Sequence, residues 1–152
     1  MIFSKTTFEH ILPVWQNKLW SGRKSTIETH SVMTWPWNDQ PCHDMAIFEY
    51  PATFWCATSA DQIIAVISGH KTSDCHYRTR GIWVDPDYRL CGVSQTLFLL
   101  VTAQAQLERC KKLWSLPKQS AIRAYTKAGF TTVGDYFVTE MSVSNIYAQK
   151  NL

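Results

Sequence analysis

The residues that most clearly suggest chemistry lie in the stretch WVDPDYRLCGVSQTLF, residues 83–98, between a short apolar segment and a long apolar helix. A loop that follows a strand and precedes a helix can direct several backbone N–H groups at one anion, and the helix N-terminus adds partial positive charge. A glycine lets the anion approach the backbone without meeting a Cβ, and an arginine neutralises part of its charge. The stretch therefore predicts a phosphate cradle formed by Arg89, Leu90, Cys91, Gly92, Val93 and Ser94. An ordinary strand-to-helix turn with a solvent-facing arginine is the alternative, and this stretch alone does not exclude it.

A second stretch, AIRAYTKAGF, places Tyr125 on a helix four residues before the pair Gly129-Phe130. Together the two stretches resemble the GNAT superfamily of N-acetyltransferases, whose first motif is a strand ending in V-x-P followed by R/Q-x-x-G-x-G/A. Here that motif reads Val84-Asp85-Pro86 and then Arg89-x-x-Gly92-x-Ser94. The second motif of the family, N-x-x-A-x-x-x-Y-x-x-x-G-F, reads Lys118-x-x-Ala121-x-x-x-Tyr125-x-x-x-Gly129-Phe130. The resemblance covers residues 62–143, and the chain departs from the family pattern at Cys91, Ser94 and Lys118.

The resemblance implies acetyl-coenzyme A as the cosubstrate and no metal ion. The backbone amides of residues 90–95, the last of which is Gln95, would bind the pyrophosphate with help from Arg89. The pantetheine arm would lie between strand 78–84 and strand 112–116, which splay apart, and would pair with strand backbone as an added strand does. The backbone concerned is that of Ile82, Trp83 and Val84. Lys118 replaces the usual asparagine and would bring a positive charge to the coenzyme.

The implied reaction is acetyl transfer by direct attack of an amine on the thioester. A backbone N–H near Val84 would hold the oxyanion, and Tyr125 would protonate the departing thiolate. The alternative for Tyr125 is a core tyrosine on a helix. The alternative for the whole protein is a non-catalytic module of the same fold that binds or senses acyl-coenzyme A. A third alternative is a structural interaction protein that kept only the fold of the family. The presence of both Arg89 and Gly92 disfavours it.

The general base is missing from the expected positions. Several members of the family carry a Glu or His on the strand before V-x-P, where this chain has Arg78 and Arg80. An arginine stays protonated and does not act as a base. If the strand alternation is unbroken, Arg78 and Arg80 share a face with Ile82 and Val84 and hold a carboxylate or phosphate of the substrate. The equally weighted alternative is that both arginines face solvent.

The acceptor is expected to be the amine of a small molecule, peptide or protein, bound by residues 20–45 and 131–140. Its proton would pass through water to His76, Glu49 or Glu28, or the amine would arrive neutral. His30 and His43 are expected to be solvated or structural. Four tryptophans crowd the first 40 residues and predict an apolar wall, either core or the side of a pocket: Trp15, Trp20, Trp35 and Trp37. A homodimer is an open expectation.

Hydrophobic spacing predicts the elements that position these residues. Helices are expected at 6–20, where Pro13 distorts the helix, at 93–109 and at 117–129, where Gly129 is a left-handed cap. Strands are expected at 46–50, 53–58, 62–69, 75–84, 112–116, 131–134 and 138–143. The helix at 93–109 is expected to bury Leu97, Leu100, Val101 and Leu107, with Gln95, Gln104 and Glu108 outward. The fold class is α/β (mixed α+β): a central, mostly antiparallel sheet with splayed strands, flanked by helices, in one domain over residues 1–152.

Bulk composition narrows the function class. The chain has 152 residues, of which 45% are hydrophobic, enough for one core. Its 15 basic and 12 acidic side chains give a net charge of +3, which disfavours nucleic acid because binding needs a basic stripe. No membrane span and no signal peptide are expected, so the cytoplasm is the expected location. The five cysteines are expected to be free thiols rather than zinc ligands.

Overall fold

A single sheet of seven strands organises the part of the chain that the computed structural model describes, residues 1–37, 41–139 and 141–152. The strands are β1 (Ile2–Thr6), β2 (Ala52–Ser59), β3 (Gln62–Lys71), β4 (His76–Val84), β5 (Lys112–Ser115), β6 (Thr131–Val138) and β7 (Ser144–Asn151). The helices are α1 (Phe8–Val14), α2 (Val93–Leu107) and α3 (Ile122–Lys127). The spatial order of the strands is β1-β2-β3-β4-β5-β7-β6.

Neighbouring strands are antiparallel except for β4 and β5, which pair in parallel. Two strands can run parallel only if a crossover connects them, and here α2 makes that crossover. Helices α2 and α1 pack against opposite faces of the sheet, each over its own buried cluster. The predicted fold class, a mixed α/β domain with a mostly antiparallel sheet flanked by helices, is confirmed.

The predicted hairpin at 53–69 is confirmed as β2 and β3, joined by a two-residue turn. Ala60 and Asp61 both have positive φ, 48° and 62°. A turn with two left-handed central residues matches the right-handed twist of the flanking strands. Strand β4 pairs with the second strand of this hairpin, β3.

Helix α2 confirms the predicted helix at 93–109, although its buried stripe differs in part. The stripe consists of Val93, Leu97, Phe98, Val101, Thr102 and Ala105. Leu107 was expected to be buried but is 76% exposed. With about 100° of rotation per residue, Leu107 turns away from the face that contains Leu97 and Val101.

The predicted helix at 6–20 is confirmed with a change of winding after Pro13. Helix α1 begins after Thr7, whose side chain accepts a hydrogen bond from the His10 N–H, and contains Pro13. A proline ring obstructs the carbonyl four residues earlier, and the chain continues as a π turn, Trp15–Leu19. The Trp20 N–H donates to the Trp15 carbonyl at 2.7 Å. The wider turn places Trp15 and Trp20 together against the sheet, with ring centroids 4.9 Å apart.

Three predicted elements differ from the structure. The expected strand at 46–50 is a 3₁₀ turn, Met45–Glu49, because the Asp44 side chain caps it by accepting from the Ala46 N–H. The expected helix at 117–129 begins as a 3₁₀ turn, Gln119–Ala121, and only then becomes α3, although Gly129 has the expected left-handed φ of 96°. The expected strand at 138–143 is the end of β6 and a turn, with Glu140 outside the described residues. Strands β1 and β7 were not predicted.

Candidate active site

The two parallel strands separate soon after they meet. Strand β4 pairs with β5 at three positions, His76 with Lys112, Tyr77 with Leu113 and Arg78 with Trp114. Beyond Arg78, β4 continues to Val84 while β5 ends at Ser115. We call the gap between residues 79–84 of β4 and the end of β5 the β4–β5 opening. It exposes strand backbone to which an extended ligand can add as a strand.

The pairing of β4 with β3 turns one amide of this backbone toward the opening. Val84 lies opposite Ala65, and the Asp85 N–H donates to the Ile64 carbonyl at 2.8 Å. Ala65 and Val84 are therefore a non-hydrogen-bonded antiparallel pair, whose own N–H and C=O groups point away from each other. The Val84 N–H thus points away from β3 and toward the opening. The neighbouring Val84 carbonyl accepts from Arg89 Nε at 3.0 Å.

The predicted phosphate cradle forms the loop before α2. Gly92 is the N-cap residue of α2, with φ 79°, and no side chain caps the helix there. A Cβ at Gly92 would meet nothing within 4 Å, so the space in front of this backbone is open. Leu90 also has a positive φ, 62°, and its side chain is exposed. The loop thus brings together the first amides of α2 and the exposed Arg89.

The remaining cradle residues have local roles. The Cys91 thiol is exposed and donates to the Arg89 carbonyl at 3.4 Å. Gln95 was expected to point outward, but its amide Nε2 donates to the Ala124 carbonyl at 3.1 Å. This bond ties α2 to α3, so the backbone of Gln95 rather than its side chain belongs to the cradle. Val93 is buried, and Ser94 is half-buried in the first turn of α2.

Tyr125 lies where β5 ends. Its ring is 4% exposed and makes T-shaped contacts with Phe98 and Phe130, at centroid distances of 4.8 and 5.1 Å. Its hydroxyl is 3.1 Å from Ser115 Oγ, which donates its own proton to the Thr79 carbonyl at 2.8 Å. Because that proton is committed, Tyr125 donates its O–H to Ser115.

The hydroxyl of Tyr125 keeps its proton at neutral pH. Burial raises the pKa of Tyr125 to about 12, against a smaller opposing effect from the Arg78 charge. The ring therefore belongs to the core, as the alternative interpretation expected, while the hydroxyl reaches the mouth of the β4–β5 opening. Ser115 was not identified from the sequence, because no motif includes it; only its place at the end of a strand parallel to β4 could have suggested it.

The expectation that Arg78 and Arg80 share a face with Ile82 and Val84 is wrong. Strand β4 has one extra residue opposite β3, since Val66 lies opposite Trp83 but Ser68 lies opposite Arg80. The bulge occurs at Gly81, which has φ 69°, and a β-bulge reverses the faces of the residues beyond it. Ile82 and Val84 consequently pack on the α2 side, and Trp83 packs with the α1 cluster.

Trp15 explains why residue 81 is glycine. A Cβ at residue 81 would lie 2.4 Å from the Trp15 ring, and Trp15 Nε1 donates to the Gly81 carbonyl at 2.8 Å. Both arginines therefore point to the α1 face of the sheet, which we call the acceptor face. The expectation that they face solvent is also wrong, because Arg78 is 7% exposed and Arg80 is 6% exposed.

Aromatic rings surround both guanidinium groups. The Arg78 guanidinium lies 4.8 Å from the Trp114 ring centroid, and Nη1 donates to Ser31 Oγ at 2.6 Å. The Arg80 guanidinium lies 5.1 Å from the Trp15 ring and 5.2 Å from the Trp20 ring. Its Nη1 donates to the Glu28 backbone carbonyl at 3.0 Å.

Both arginines remain cations at neutral pH. Burial lowers the pKa of Arg78 to about 10, and burial together with the Arg78 charge lowers the pKa of Arg80 to about 9. Neither guanidinium can therefore take a proton from an amine. The chemistry that this face offers is binding of an anion or of a neutral polar group.

The candidate bases lie in three different segments of the chain. His76 is at the paired end of β4, while Glu28 and Glu49 are exposed. Both ring nitrogens of His30 are engaged, Nδ1 with Thr29 Oγ1 at 2.8 Å and Nε2 with the Tyr50 carbonyl at 2.7 Å. His43 is exposed, and its Nδ1 is 3.5 Å from Cys42 Sγ.

Lys118 joins the opening to the π turn. It follows β5 and forms an isolated bridge with Asn145, and its Nζ donates to the Leu19 carbonyl at 3.3 Å. Burial lowers the pKa of Lys118.

Of the predicted acceptor segments, residues 38–40 and Glu140 lie outside the described residues. The expected tryptophan wall includes Trp35 and Trp37, whose rings lie 4.9 Å apart.

In the described ranges, no group of three His, Cys, Asp or Glu side chains could hold a metal ion. None of the helices in those ranges combines the length and the apolar character needed to cross a bilayer.

Comparison with known proteins places this geometry in a family. Residues 19–130, more than half of the chain, match the acetyltransferase (GNAT) family. The chain belongs to this family. No curated protein matches the sequence.

Three solved structures illustrate the likeness of this GNAT protein to other members. A nourseothricin acetyltransferase has a TM-score of 0.59 and 21% identity, over 66% of this chain and 65% of that chain. A GNAT-family acetyltransferase from Staphylococcus aureus Mu50 has a TM-score of 0.69 and 16% identity, over 99% and 98%. An aminoglycoside 6′-N-acetyltransferase, solved with coenzyme A, has a TM-score of 0.69 and 10% identity, over 99% and 97%. At these identities the likeness concerns the fold.

Proposed function

We propose that this GNAT protein transfers the acetyl group of acetyl-coenzyme A to the amine of a small molecule, peptide or protein. One observation carries the proposal: the β4–β5 opening joins a loop of free helix amides at Gly92 to the hydroxyl of Tyr125 at the end of β5. A ligand that has an anionic group at one end and a reactive group at the other fits such a passage. The coenzyme A bound to the aminoglycoside acetyltransferase is a ligand of this kind.

The cradle residues suit the pyrophosphate of acetyl-coenzyme A. The amides of residues 90–95 are at the N-terminus of α2, where an anion is stabilised. Arg89 now donates to the Val84 carbonyl, and its exposed side chain can turn to a phosphate oxygen instead. Since a Cβ at Gly92 would meet no protein atom within 4 Å, the phosphate has room to approach. Lys118, on the far side of the opening, would contribute a second charge.

Backbone groups of β4 would hold the arm of the coenzyme. Its amide groups would pair, as in strand addition, with the backbone groups of Ile82 and Val84 that point away from β3. Trp83, expected to take part, lies opposite Val66 in the next pair of the ladder, so its own N–H and C=O face β3. Acetyl-coenzyme A supplies an acetyl group activated as a thioester. The side chains of Ile82 and Val84 pack on the α2 side, so the backbone and not the side chains would face the ligand.

Two groups of the chain would act on the transfer itself. The Val84 N–H would donate to the carbonyl oxygen as it gains negative charge. The nitrogen–carbon bond forms while the carbon–sulfur bond breaks, and Tyr125 would donate its proton to the departing sulfur. The proton lost by the amine would leave through water, because Arg78 and Arg80 are cations.

Calorimetric titration of acetyl-coenzyme A into the protein tests the coenzyme site. We expect micromolar binding that Arg89→Glu abolishes. Arg109→Glu is the matched control, because Arg109 is exposed near the opposite end of α2 and the charge change is identical. Equal loss in both variants, or no binding by the parent protein, would contradict the proposal.

Release of free coenzyme A thiol in the presence of amines then tests transfer. Turnover that depends on the added amine supports the acetyltransferase. Binding without turnover across a broad amine panel would instead identify the protein as a module that binds acyl-coenzyme A without reacting it.

A further inference from the structure

Among the residues that the structure describes, the two buried positive charges on the acceptor face hydrogen-bond to neutral groups and not to a carboxylate. Arg78 and Arg80 are each more than nine-tenths buried, and a charge is rarely buried unless it is paired. The hydrogen-bond partners recorded for them are the Ser31 hydroxyl and the Glu28 backbone carbonyl, both neutral. Within the described part of the chain, the buried Nε of Arg78 has no hydrogen-bond partner at all.

The groups around the pair make the site more cationic. The charge of Arg23 lowers the pKa of both buried arginines, in addition to the larger effect of burial. Arg23 lies over the Trp20 ring at 5.1 Å. The carboxylate that acts on Arg80 is Glu28, whose side chain is exposed to water. A buried pair of cations is a favourable site for an anion.

The aromatic contacts hold the guanidinium groups ready for a ligand. Trp114 lies against Arg78, and Trp15 and Trp20 lie against Arg80. A cation–π contact uses none of the N–H groups of a guanidinium as hydrogen-bond donors, so these N–H groups can still bind a ligand. The unpartnered Nε lies on an N–H edge of the Arg78 guanidinium, and such an edge matches the two oxygens of a carboxylate.

The pair is also close to the predicted reaction centre. Arg78 is the last residue of β4 that pairs with β5, and the β4–β5 opening begins at the next residue. Arg78 and Tyr125 each act electrostatically on the other. An anion bound by Arg78 therefore lies on the acceptor side of the place where the thioester would be.

We propose that the acceptor is an amine that also carries a carboxylate, and that Arg78 and Arg80 bind this carboxylate in place of Ser31 Oγ and the Glu28 carbonyl. This inference rests on the proposed function and names its substrate class. Amino acids and related zwitterions belong to the class, and polycationic amines do not. The arginines would exchange hydrogen bonds to two neutral groups for hydrogen bonds to a carboxylate, and hydrogen bonds between charged groups are stronger.

The same arginines account for a site without a base. Nearby positive charges disfavour the ammonium form of an amine, so an amine held beside Arg78 and Arg80 is more readily neutral.

The test compares acceptors that carry a carboxylate with acceptors that do not. Acetylation of L-amino acids is measured against their carboxamides and against spermidine, using coenzyme A thiol release. We expect kcat/KM for the best amino acid to exceed that of its carboxamide by about 10- to 100-fold, as for loss of one charge-assisted interaction. Arg78→Met should remove this preference, mainly through KM, without changing acetyl-coenzyme A binding. Arg109→Gln, an exposed charge loss, is the control and should change nothing.

The melting temperature of Arg78→Met shows whether Arg78 binds a ligand or instead stabilises the fold. Replacing an unpaired buried charge by an apolar side chain of similar size is often neutral or stabilising, so the melting temperature of Arg78→Met should be equal to or higher than that of the parent. If Arg78→Met unfolds, Arg80→Met and Arg78→Lys replace it in the kinetic comparison.

The outcomes distinguish this inference from the proposed function. Efficient acetylation of carboxamides or spermidine, unaffected by Arg78→Met, overturns the carboxylate site and leaves the acetyltransferase intact. If no amine is acetylated, titration of the L-amino acids into the protein with coenzyme A decides. Binding that is lost in Arg78→Met supports the carboxylate site, and no binding overturns it.

Discussion

Tyr125 combines a core ring with a hydroxyl that reaches the proposed reaction centre, and the two roles can be separated by substitution. The ring packs between Phe98 and Phe130, while the hydroxyl meets Ser115. A phenylalanine at this position keeps the packing and removes only the O–H. Losing the hydrogen bond to Ser115 should cost about 1 kcal/mol.

Tyr125→Phe should lower kcat by a factor of about 100, because general acid catalysis contributes at least this much, while acetyl-coenzyme A binding is unchanged. Since burial raises the pKa of Tyr125 to about 12, the hydroxyl stays protonated on the acid side of that value. The pH profile of kcat should therefore show no loss caused by this group below about pH 10, two units under its pKa. Stopped-flow or steady-state thiol release provides both measurements. An unchanged kcat would leave Tyr125 as a core residue.

Gly81 is required by both its backbone angle and its neighbour. Gly81→Ala should lower the free energy of unfolding by about 3 kcal/mol, from strain at positive φ together with overpacking. The added Cβ would be 2.4 Å from Trp15, which is fully buried and bonded to the Gly81 carbonyl. Denaturant unfolding measures the change. Gly22→Ala is the control, since a Cβ there meets nothing within 4 Å and its φ lies outside the left-handed region; a similar loss in both would contradict the prediction.

At the scale of elements, the loop before α2 allows stability and ligand binding to be separated. Gly92→Ala adds a Cβ that meets no protein atom within 4 Å, so only the positive φ opposes it, at a cost of about 1–2 kcal/mol. The same Cβ would lie where the phosphate must approach. We therefore expect the affinity for acetyl-coenzyme A to fall by more than tenfold while the protein remains folded, as measured by calorimetry and thermal unfolding. Unaltered affinity would show that the anion does not approach Gly92.

The bulge at Gly81 also explains which parts of the site could be predicted from the sequence. The spacing of Leu97 and Val101 predicted α2, and the motif around Arg89 and Gly92 predicted the loop before it; the phosphate cradle in that loop stays a prediction. The faces of Arg78 and Arg80 could not be predicted by counting in twos, because one extra residue in β4 reverses them. Trp15, distant in sequence, occupies the space above Gly81, so the bulge has room only for a glycine.

Two further differences between prediction and structure have causes that the hydrophobic pattern does not reveal, one local and one long-range. A side-chain cap at Asp44 converts an apolar run into a 3₁₀ turn. The pairing of β1 with β2 depends on residues more than fifty positions apart, such as Ile2 and Thr58.

For the molecule as a whole, the five cysteines report on folding and on the coenzyme site. Cys42, Cys75 and Cys91 are exposed, and Cys56 and Cys110 are buried. A thiol reagent should therefore modify three groups rapidly in the native protein and the other two upon unfolding. Saturating acetyl-coenzyme A, which has no free thiol, should slow one of the three rapid reactions. That protection should disappear in Cys91→Ser; protection that persists in this variant would place the coenzyme elsewhere.

The short contact between β4 and β5 has a consequence for the order in which the protein folds. Strands β1 to β4 are joined in sequence order by antiparallel pairing, and all their residues are synthesised once the ribosome has passed Val84. Strand β5 joins them through three residue pairs, after the whole of α2 has crossed the sheet. Because pairing across a long connection is slow, we expect β2, β3 and β4, which short turns connect, to assemble during translation. The opening that would receive the coenzyme would then be completed last, when the C-terminal strands arrive.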